Sequence, residues 1–217
     1  MMPRYDGIVS RHLNRRISDP LALLLARTPV TPNQATLGAA AIGVLSFVAF
    51  MLGHGIAGGL LAQASSIADG VDGELARLKD RVSSFGGFLD AVLDRYVDAL
   101  ILLGMTVWSV QYQTYPGTWI VGFLAVTGAL CVSYTRARVT DFGGSPFDRG
   151  LTSLASRDVR LFLVMLAGLS GQVYGSLVAL AALTNLMVAG RLVAVYIRTR
   201  HAKAAQLETH RASDVVQ

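Results

Sequence analysis

Asp69 and Asp72 stand three residues apart, and Asp90 and Asp94 stand four apart. On α-helices each spacing brings the pair onto one face. The two segments, Asp69-Gly-Val-Asp72-Gly73-Glu-Leu-Ala76-Arg77 and Gly86-Gly-Phe-Leu-Asp90-Ala-Val-Leu-Asp94, are separated by a short loop. They are therefore expected to form antiparallel neighbouring helices with all four carboxylates converging. A charged side chain inside an apolar span costs about 2.5–3.5 kcal/mol, so four would cost on the order of 10 kcal/mol without compensation. Two hard divalent cations would supply it. An all-oxygen donor set with no nearby His or Cys cluster favours Mg²⁺ or Mn²⁺ over Zn²⁺, and metal-assisted phosphoryl chemistry follows.

The small residues share the phase of the aspartates. Gly73 and Ala76 lie on the face of Asp69 and Asp72, and Gly86 precedes Asp90 by one turn, leaving space for a flat ligand against the helices. Arg77 is placed to pair with a phosphate or with the aspartates. Gly70 and Gly87 are read instead as helix-packing positions.

Spans of apolar sequence must position this constellation. Of 217 residues, 53% are hydrophobic and only 15% charged, with a mean hydropathy of +0.49, too apolar for an ordinary soluble domain. Segments at 33–52, 56–76, 86–110, 118–136, 158–172 and 175–197 read as six transmembrane helices. They form one all-α membrane domain over residues 1–203, followed by a tail at 204–217 expected to be disordered. Residues 5–27 mix arginines with Ile8, Leu13, Ile17 and a leucine cluster, which predicts an amphipathic helix lying in the membrane interface. The first 20 residues are polar and basic with no apolar signal-peptide core, so the N-terminus is expected in the cytoplasm.

Lys and Arg fall on one side of these spans. Arg4, Arg11, Arg15, Arg16 and Arg27 precede the first; Arg77, Lys79 and Arg81 follow the second; Arg136, Arg138, Arg149 and Arg157 follow the fourth; and Arg198, Arg200 and Lys203 follow the sixth. The intervening loops contain neither residue type. This pattern predicts a multi-pass plasma-membrane protein with both termini and the aspartates on the cytoplasmic side. The net charge of +5 is thereby assigned to membrane topology and anionic lipid, not to nucleic acid. The single cysteine, Cys131, sits in an apolar run; it excludes disulfides within the chain and is expected to act as a small buried hydrophobe.

The pattern Asp-x2-Asp-Gly-x2-Ala-Arg-x8-Gly-x3-Asp-x3-Asp, matched at every specified position, resembles the signature of the CDP-alcohol phosphotransferase family. Thr31-Pro32-Asn33 resembles that family's entrance to its first span. The resemblance implies six transmembrane helices, a cytoplasmic juxtamembrane helix and a homodimer. It also implies that Asp69, Asp72, Asp90 and Asp94 hold two metal ions, and that Asp94 is the general base. Asp69, Gly73, Ala76, Arg77 and Gly86 would line the CDP site. The expected reaction moves a substituted phosphate from a CDP-linked donor to an alcohol or sugar-phosphate acceptor, with CMP leaving. The run Asp6-Gly-Ile-Val-Ser-Arg-His-Leu-Asn-Arg-Arg-Ile-Ser is similar to the opening of the branch that includes di-myo-inositol phosphate phosphate synthases. That similarity leaves CDP-diacylglycerol and CDP-inositol both open as donors.

Arg136, Arg157, Arg160 and Arg191 are candidates for binding a phosphate of the acceptor or donor, because an arginine within a span usually faces a cavity. Asn185 is a candidate for the same cavity or for interhelical bonding. Asp98, continuing the stripe of Asp90 and Asp94, is expected to support them or to pair with an arginine. A cation transporter is the competing class, but its acidic sites belong near the bilayer midplane, whereas these aspartates border the arginine-rich boundary.

Overall fold

The computed structural model describes residues 9–139 and 155–215, with side chains up to residue 200. Arg4, Arg149 and the opening of the N-terminal run at 6–8 lie outside the described residues. A π-helical turn (Ser10–Asn14) leads into α1 (Arg15–Ala26), and then come α2 (Pro32–Met51), α3 (Gly55–Leu78), α4 (Ser84–Tyr112), α5 (Thr118–Val139), α6 (Arg157–Ser170) and α7 (Val173–Val215). The described fold is all-α. Each of the six apolar segments falls on one of α2 to α7, and the helical backbone of α7 continues through residues 204–215, where the tail is expected.

Local chemistry sets the helix ends nearest the aspartates. Thr31 begins α2 with a capping box: its hydroxyl accepts from Gln34 N at 3.3 Å, and Gln34 Oε1 accepts from Thr31 N at 2.9 Å. Pro32 occupies the first turn, where its missing N–H costs nothing. Ser83 begins α4 by accepting from Gly86 N at 3.0 Å. Lys79, just past the end of α3, donates to Thr28 O and Val30 O at 2.6 and 2.7 Å, tying the α1–α2 connection to the start of the α3–α4 loop.

The expectation that α3 and α4 are direct neighbours is corrected. They approach each other only sparsely, because α2 packs along both. Gly43 makes room for this: a Cβ there would lie 2.3 Å from Val97 Cγ1 of α4 and 3.1 Å from Ser65 Oγ of α3. Ser65 in turn donates to Ala39 O of α2 at 2.9 Å. On its other face α3 packs against α6, and α5 packs against α7 and α4. Phe50, Ile101, Met105, Val164, Leu177 and Leu180 form the middle of the buried core.

Outside the core the surface is apolar. Leu45, Phe123 and Leu186 are all more than half exposed, as suits side chains facing hydrocarbon rather than water. By length and composition α2, α5 and the Val173–Arg200 part of α7 are long and apolar enough to cross a membrane. Charged side chains interrupt α3 and α4, and α6, with 14 residues, rises only roughly 21 Å. Cys131, expected to be buried, is exposed on this outer surface.

Candidate active site

The end of α3 presents Asp69 and Asp72, and the facing part of α4 presents Asp90 and Asp94 across a gap whose walls are α2, α6 and the N-terminal turn. Asp69, Asp90 and Asp94 each place a carboxylate oxygen so that all three lie within 4.8 Å of one another. Asp72 is held differently. Its Oδ2 accepts from Thr36 Oγ1 of α2, and its Oδ1 accepts from Gly73 N.

Arg157, at the start of α6, reaches into this cluster. Its Nη1 lies 2.9 Å from Asp69 Oδ1 and 3.1 Å from Asp94 Oδ1, while its Nε donates to Asp98 Oδ1 at 3.1 Å. Asp98 also pairs with Arg160 Nη2, and Arg160 donates to Ala155 O at 2.7 Å. Asp98 is thus the ion-pair partner of two arginines, one of the two roles expected for it. Arg157 and Arg160 offset only part of the negative charge of the five aspartates.

The donor set fits a divalent cation. Asp90 Oδ1 is buried and takes no hydrogen bond, a costly state for a carboxylate oxygen. Three converging carboxylates supply the all-oxygen environment that hard ions require.

Two cavities meet at the cluster. One, of about 180 Å³, is lined by Asn33 and Thr36 of α2, Gly73, Ala76 and Arg77 of α3, the loop residues Arg81 and Ser83, and Gly86 and Gly87 of α4. The other, of about 290 Å³, is lined by Asp69, Asp94, Arg136 and Arg157 together with Ser10, Asn14 and Arg15. Asp72, Gly73, Arg77 and Asp90 line both and form the partition between them. Of the candidate nucleotide-site residues, Gly73, Ala76, Arg77 and Gly86 therefore share the smaller chamber, whereas Asp69 lines the larger one with Asp94, Arg136 and Arg157.

Two of the four candidate arginines fall elsewhere. Arg160 is buried against Asp98, and Arg191 donates from α7 to Val132 O and to Thr135 Oγ1 of α5; neither lines either chamber. Asn185 bridges α7 to Leu124 O of α5 at 3.0 Å, the interhelical role.

The glycines divide along similar lines. A Cβ on Gly70 would meet Ser18 Oγ of α1 at 3.1 Å, so this glycine packs helices as expected. Gly87, also read as packing, has nothing within 4 Å of an added Cβ and opens onto the smaller chamber. Around Gly73 the nearest atom is Arg77 Nη1 at 4.0 Å, so its face is open. Gly86 is close to α2, with Asn33 Oδ1 3.2 Å from an added Cβ.

Sequence reasoning missed Thr36, Asn14 and Arg15. Thr36 follows Pro32 by one turn, but nothing in the linear pattern says that α2 lies between the aspartate helices. Asn14 donates to Ser66 Oγ at 3.0 Å and accepts from Gln63 Nε2 at 2.8 Å, which fastens the π-helical turn to α3. Ser10 N donates to Asp158 Oδ2 at 2.7 Å, fastening the same turn to α6.

The structure is thus a helical bundle with apolar outer faces and an aspartate cluster where two chambers meet, the architecture of a membrane-type protein with a candidate metal site. The chain belongs to the CDP-alcohol phosphatidyltransferase family, whose model matches residues 29–196. Over 205 residues it is 38% identical to the bifunctional IPC transferase and DIPP synthase of Thermococcus kodakarensis, a match covering 91% of this chain and 46% of that protein. It is 34% identical over 157 residues to the archaetidylinositol phosphate synthase of Pyrococcus horikoshii, covering 71% of this chain and 79% of the relative. The chain spans less than half the length of the bifunctional relatives it matches. The crystal structure of Mycobacterium tuberculosis phosphatidylinositol phosphate synthase with CDP-DAG bound superposes with a TM-score of 0.71 at 25% identity, covering 83% of this chain and 94% of that one.

Proposed function

We propose that this chain transfers a substituted phosphate from a CDP-linked donor to an alcohol, releasing CMP, within a single membrane domain spanning residues 1–203. The observation that carries this reading is the pair of chambers that meet along Asp72, Gly73, Arg77 and Asp90, with Ala76 and Gly86 lining the smaller alone and Asp69, Asp94, Arg136 and Arg157 the larger alone. Donor and acceptor can then meet at the partition without competing for the same space.

In this reading the cytidine diphosphate lies against the open face of Gly73 and Ala76, with Arg77 and Gly86 at its edges. Asp69, Asp72, Asp90 and Asp94 would hold two Mg²⁺ or Mn²⁺ ions. When bound, such ions offset the charge of the pyrophosphate and of the group in transfer. The acceptor hydroxyl lies in the larger chamber beside Asp94, whose carboxylate takes its proton. The alcohol oxygen bonds to the β-phosphorus as the bond to the CMP oxygen breaks, and CMP leaves through the smaller chamber. Arg136 and Arg157 are placed to bind a phosphate carried by the acceptor. Arg160 supports Arg157 through their shared partner Asp98, and Arg191 braces α5 against α7.

The names of the archaetidylinositol phosphate and phosphatidylinositol phosphate synthases both contain an inositol phosphate. An inositol phosphate is accordingly the favoured acceptor, with CDP-diacylglycerol or CDP-inositol as donor. The same reading places six spans in the plasma membrane, both termini and the chambers at the cytoplasmic side, and the active unit as a homodimer. It lays α1 in the interface, where Ile17, Leu23 and Leu24 are exposed toward lipid.

The test is CMP release by purified protein with Mg²⁺, each donor being paired with inositol phosphate and with other alcohols. Wild-type protein should release CMP with one pair, and Asp94→Asn should lower the rate by about 100-fold or more. Folded, metal-supplied protein that releases no CMP with any pair refutes the reaction.

A further inference from the structure

The N-terminal turn closes part of the larger chamber. Ser10, Asn14 and Arg15 line it together with Arg136 and Arg157, and none of the three reaches the smaller chamber. All three also precede residues 29–196, the part that the family model matches. This wall therefore lies outside the segment that carries the family's motif and borders only the chamber assigned to the acceptor.

Arg15 differs from the other described arginines of the N-terminal stretch. Arg11, Arg16 and Arg27 are exposed, as cations facing anionic lipid should be. The Arg15 side chain is only 17% exposed, close to the 16% of Arg157. Its Nη1 lies 3.4 Å from Asp19 Oδ1 and 3.7 Å from Glu74 Oε2, so carboxylates from α1 and α3 orient it. Anchoring to lipid calls for no such burial, because an anchoring arginine keeps its charged head in water.

A buried clasp fixes where Arg15 sits. Asn14, immediately before it, is 2% exposed. Its Nδ2 donates to Ser66 Oγ and its Oδ1 accepts from Gln63 Nε2, so both ends of the amide are engaged with α3. The backbone here follows the wide i→i+5 pattern, with Arg15 N donating to Ser10 O, and such turns recur at functional sites. Gln63 itself lines neither chamber, and its Oε1 is buried with no hydrogen-bond partner. An apolar side chain would fill the same space without that cost. What the glutamine adds is its bond to Asn14.

We propose that Arg15 is a specificity-determining residue for the acceptor: it adds a guanidinium to those of Arg136 and Arg157, so that the larger chamber selects a phosphorylated polyol over its unphosphorylated counterpart. Gln63 is a positioning residue that acts on Arg15 through Asn14. Both roles rest on the transfer reaction and deepen it by naming what chooses the acceptor. A guanidinium can bind phosphate through two parallel N–H···O bonds. Sites built to pair with a polar group reject an analogue lacking it, because their own buried groups are then left unpaired.

The test is steady-state CMP release by the purified full chain with Mg²⁺ and CDP-diacylglycerol or CDP-inositol, comparing inositol phosphate with inositol and glycerol phosphate with glycerol. Wild type should favour the phosphorylated member of the pair it uses. Arg15→Gln should raise the KM for that acceptor by about 10- to 100-fold, the range of a charge-assisted contact, while kcat and the donor KM stay within about twofold. Its preference for the phosphorylated acceptor should fall by the same factor. Arg15→Lys, which keeps the charge but loses the planar fork, should lie between Arg15→Gln and wild type. Gln63→Met, similar in size but lacking the donor, should raise the acceptor KM by a smaller factor with the donor KM held. Arg16→Gln, removing an exposed charge from the next position, should change none of these constants. An unchanged acceptor KM in Arg15→Gln, an equal rise in its donor KM, an equal effect from Arg16→Gln, or a wild type that prefers the unphosphorylated acceptor overturns the role of Arg15. An unchanged acceptor KM in Gln63→Met overturns that of Gln63. Folded, metal-supplied wild type that releases no CMP with any pair refutes the transfer reaction instead.

Discussion

The two ends of α3 are built on opposite plans. Near Gly55 and Gly59, α3 and α6 meet backbone to backbone: a Cβ on Gly168 would fall 2.3 Å from Gly55 O, and one on Gly59 would fall 2.9 Å from Met165 O. Four turns further along, near Asp69 and Asp72, the helices around α3 are held apart and joined by hydrogen bonds and ion pairs spanning a cavity. Small residues close the first end through van der Waals contact, as in membrane bundles generally. Charged residues hold the second end open, because carboxylates facing one another cannot collapse without cations between them. The fold thus anchors α3 firmly at one end, so that the other can present Asp69 and Asp72 toward Asp90 and Asp94 of α4 without itself being close-packed.

Substitutions at the two ends should separate these plans. The largest stability loss is expected at the open end, from Asp98→Ala. Removing the shared partner of Arg157 and Arg160 leaves buried guanidinium charge uncompensated, which should cost about 3–5 kcal/mol, read as a lower unfolding midpoint in detergent. A loss below about 1 kcal/mol would mean that the triad is not what holds α4 to α6. Gly168→Ala at the closed end comes next. Its methyl meets backbone that cannot rotate away, and about 1–3 kcal/mol is expected from overpacking, with the same midpoint as the readout. The smallest effect belongs to Gly87→Ala, where the methyl enters open space: stability should hold or rise by up to about 1 kcal/mol from helix propensity. In that variant the KM for the CDP donor should change more than the midpoint, and a midpoint that falls by several degrees would show that Gly87 packs after all.

Much of this contrast was legible beforehand. The i,i+3 and i,i+4 aspartate pairs, the phase of Gly73, Ala76 and Gly86 with them, and six apolar segments all follow from periodicity, which is a local property of the chain. Asp98 was recognisable as a candidate ion-pair partner because it continues the α4 stripe by one more turn. Arg160 and Arg191 were harder: an arginine within an apolar segment must find acceptors, yet a cavity, a buried aspartate and a carbonyl on the next helix all satisfy that demand equally well from the sequence side. Gly87 shows the same ambiguity for small residues, since a missing side chain marks either a close helix or an empty space.

By itself, then, the sequence determined the helices, the acidic faces of two of them, and the family to which the chain belongs, because helix formation and motif spacing depend on residues a few positions apart. The tertiary structure decided that α2 lies between the aspartate helices, that Thr36 binds Asp72, that the site divides into two chambers, and which arginines reach it. Those outcomes depend on which small residue lets which helix approach, as Gly43 does beneath Val97. Such complementarity joins positions more than fifty residues apart and leaves no period in the chain.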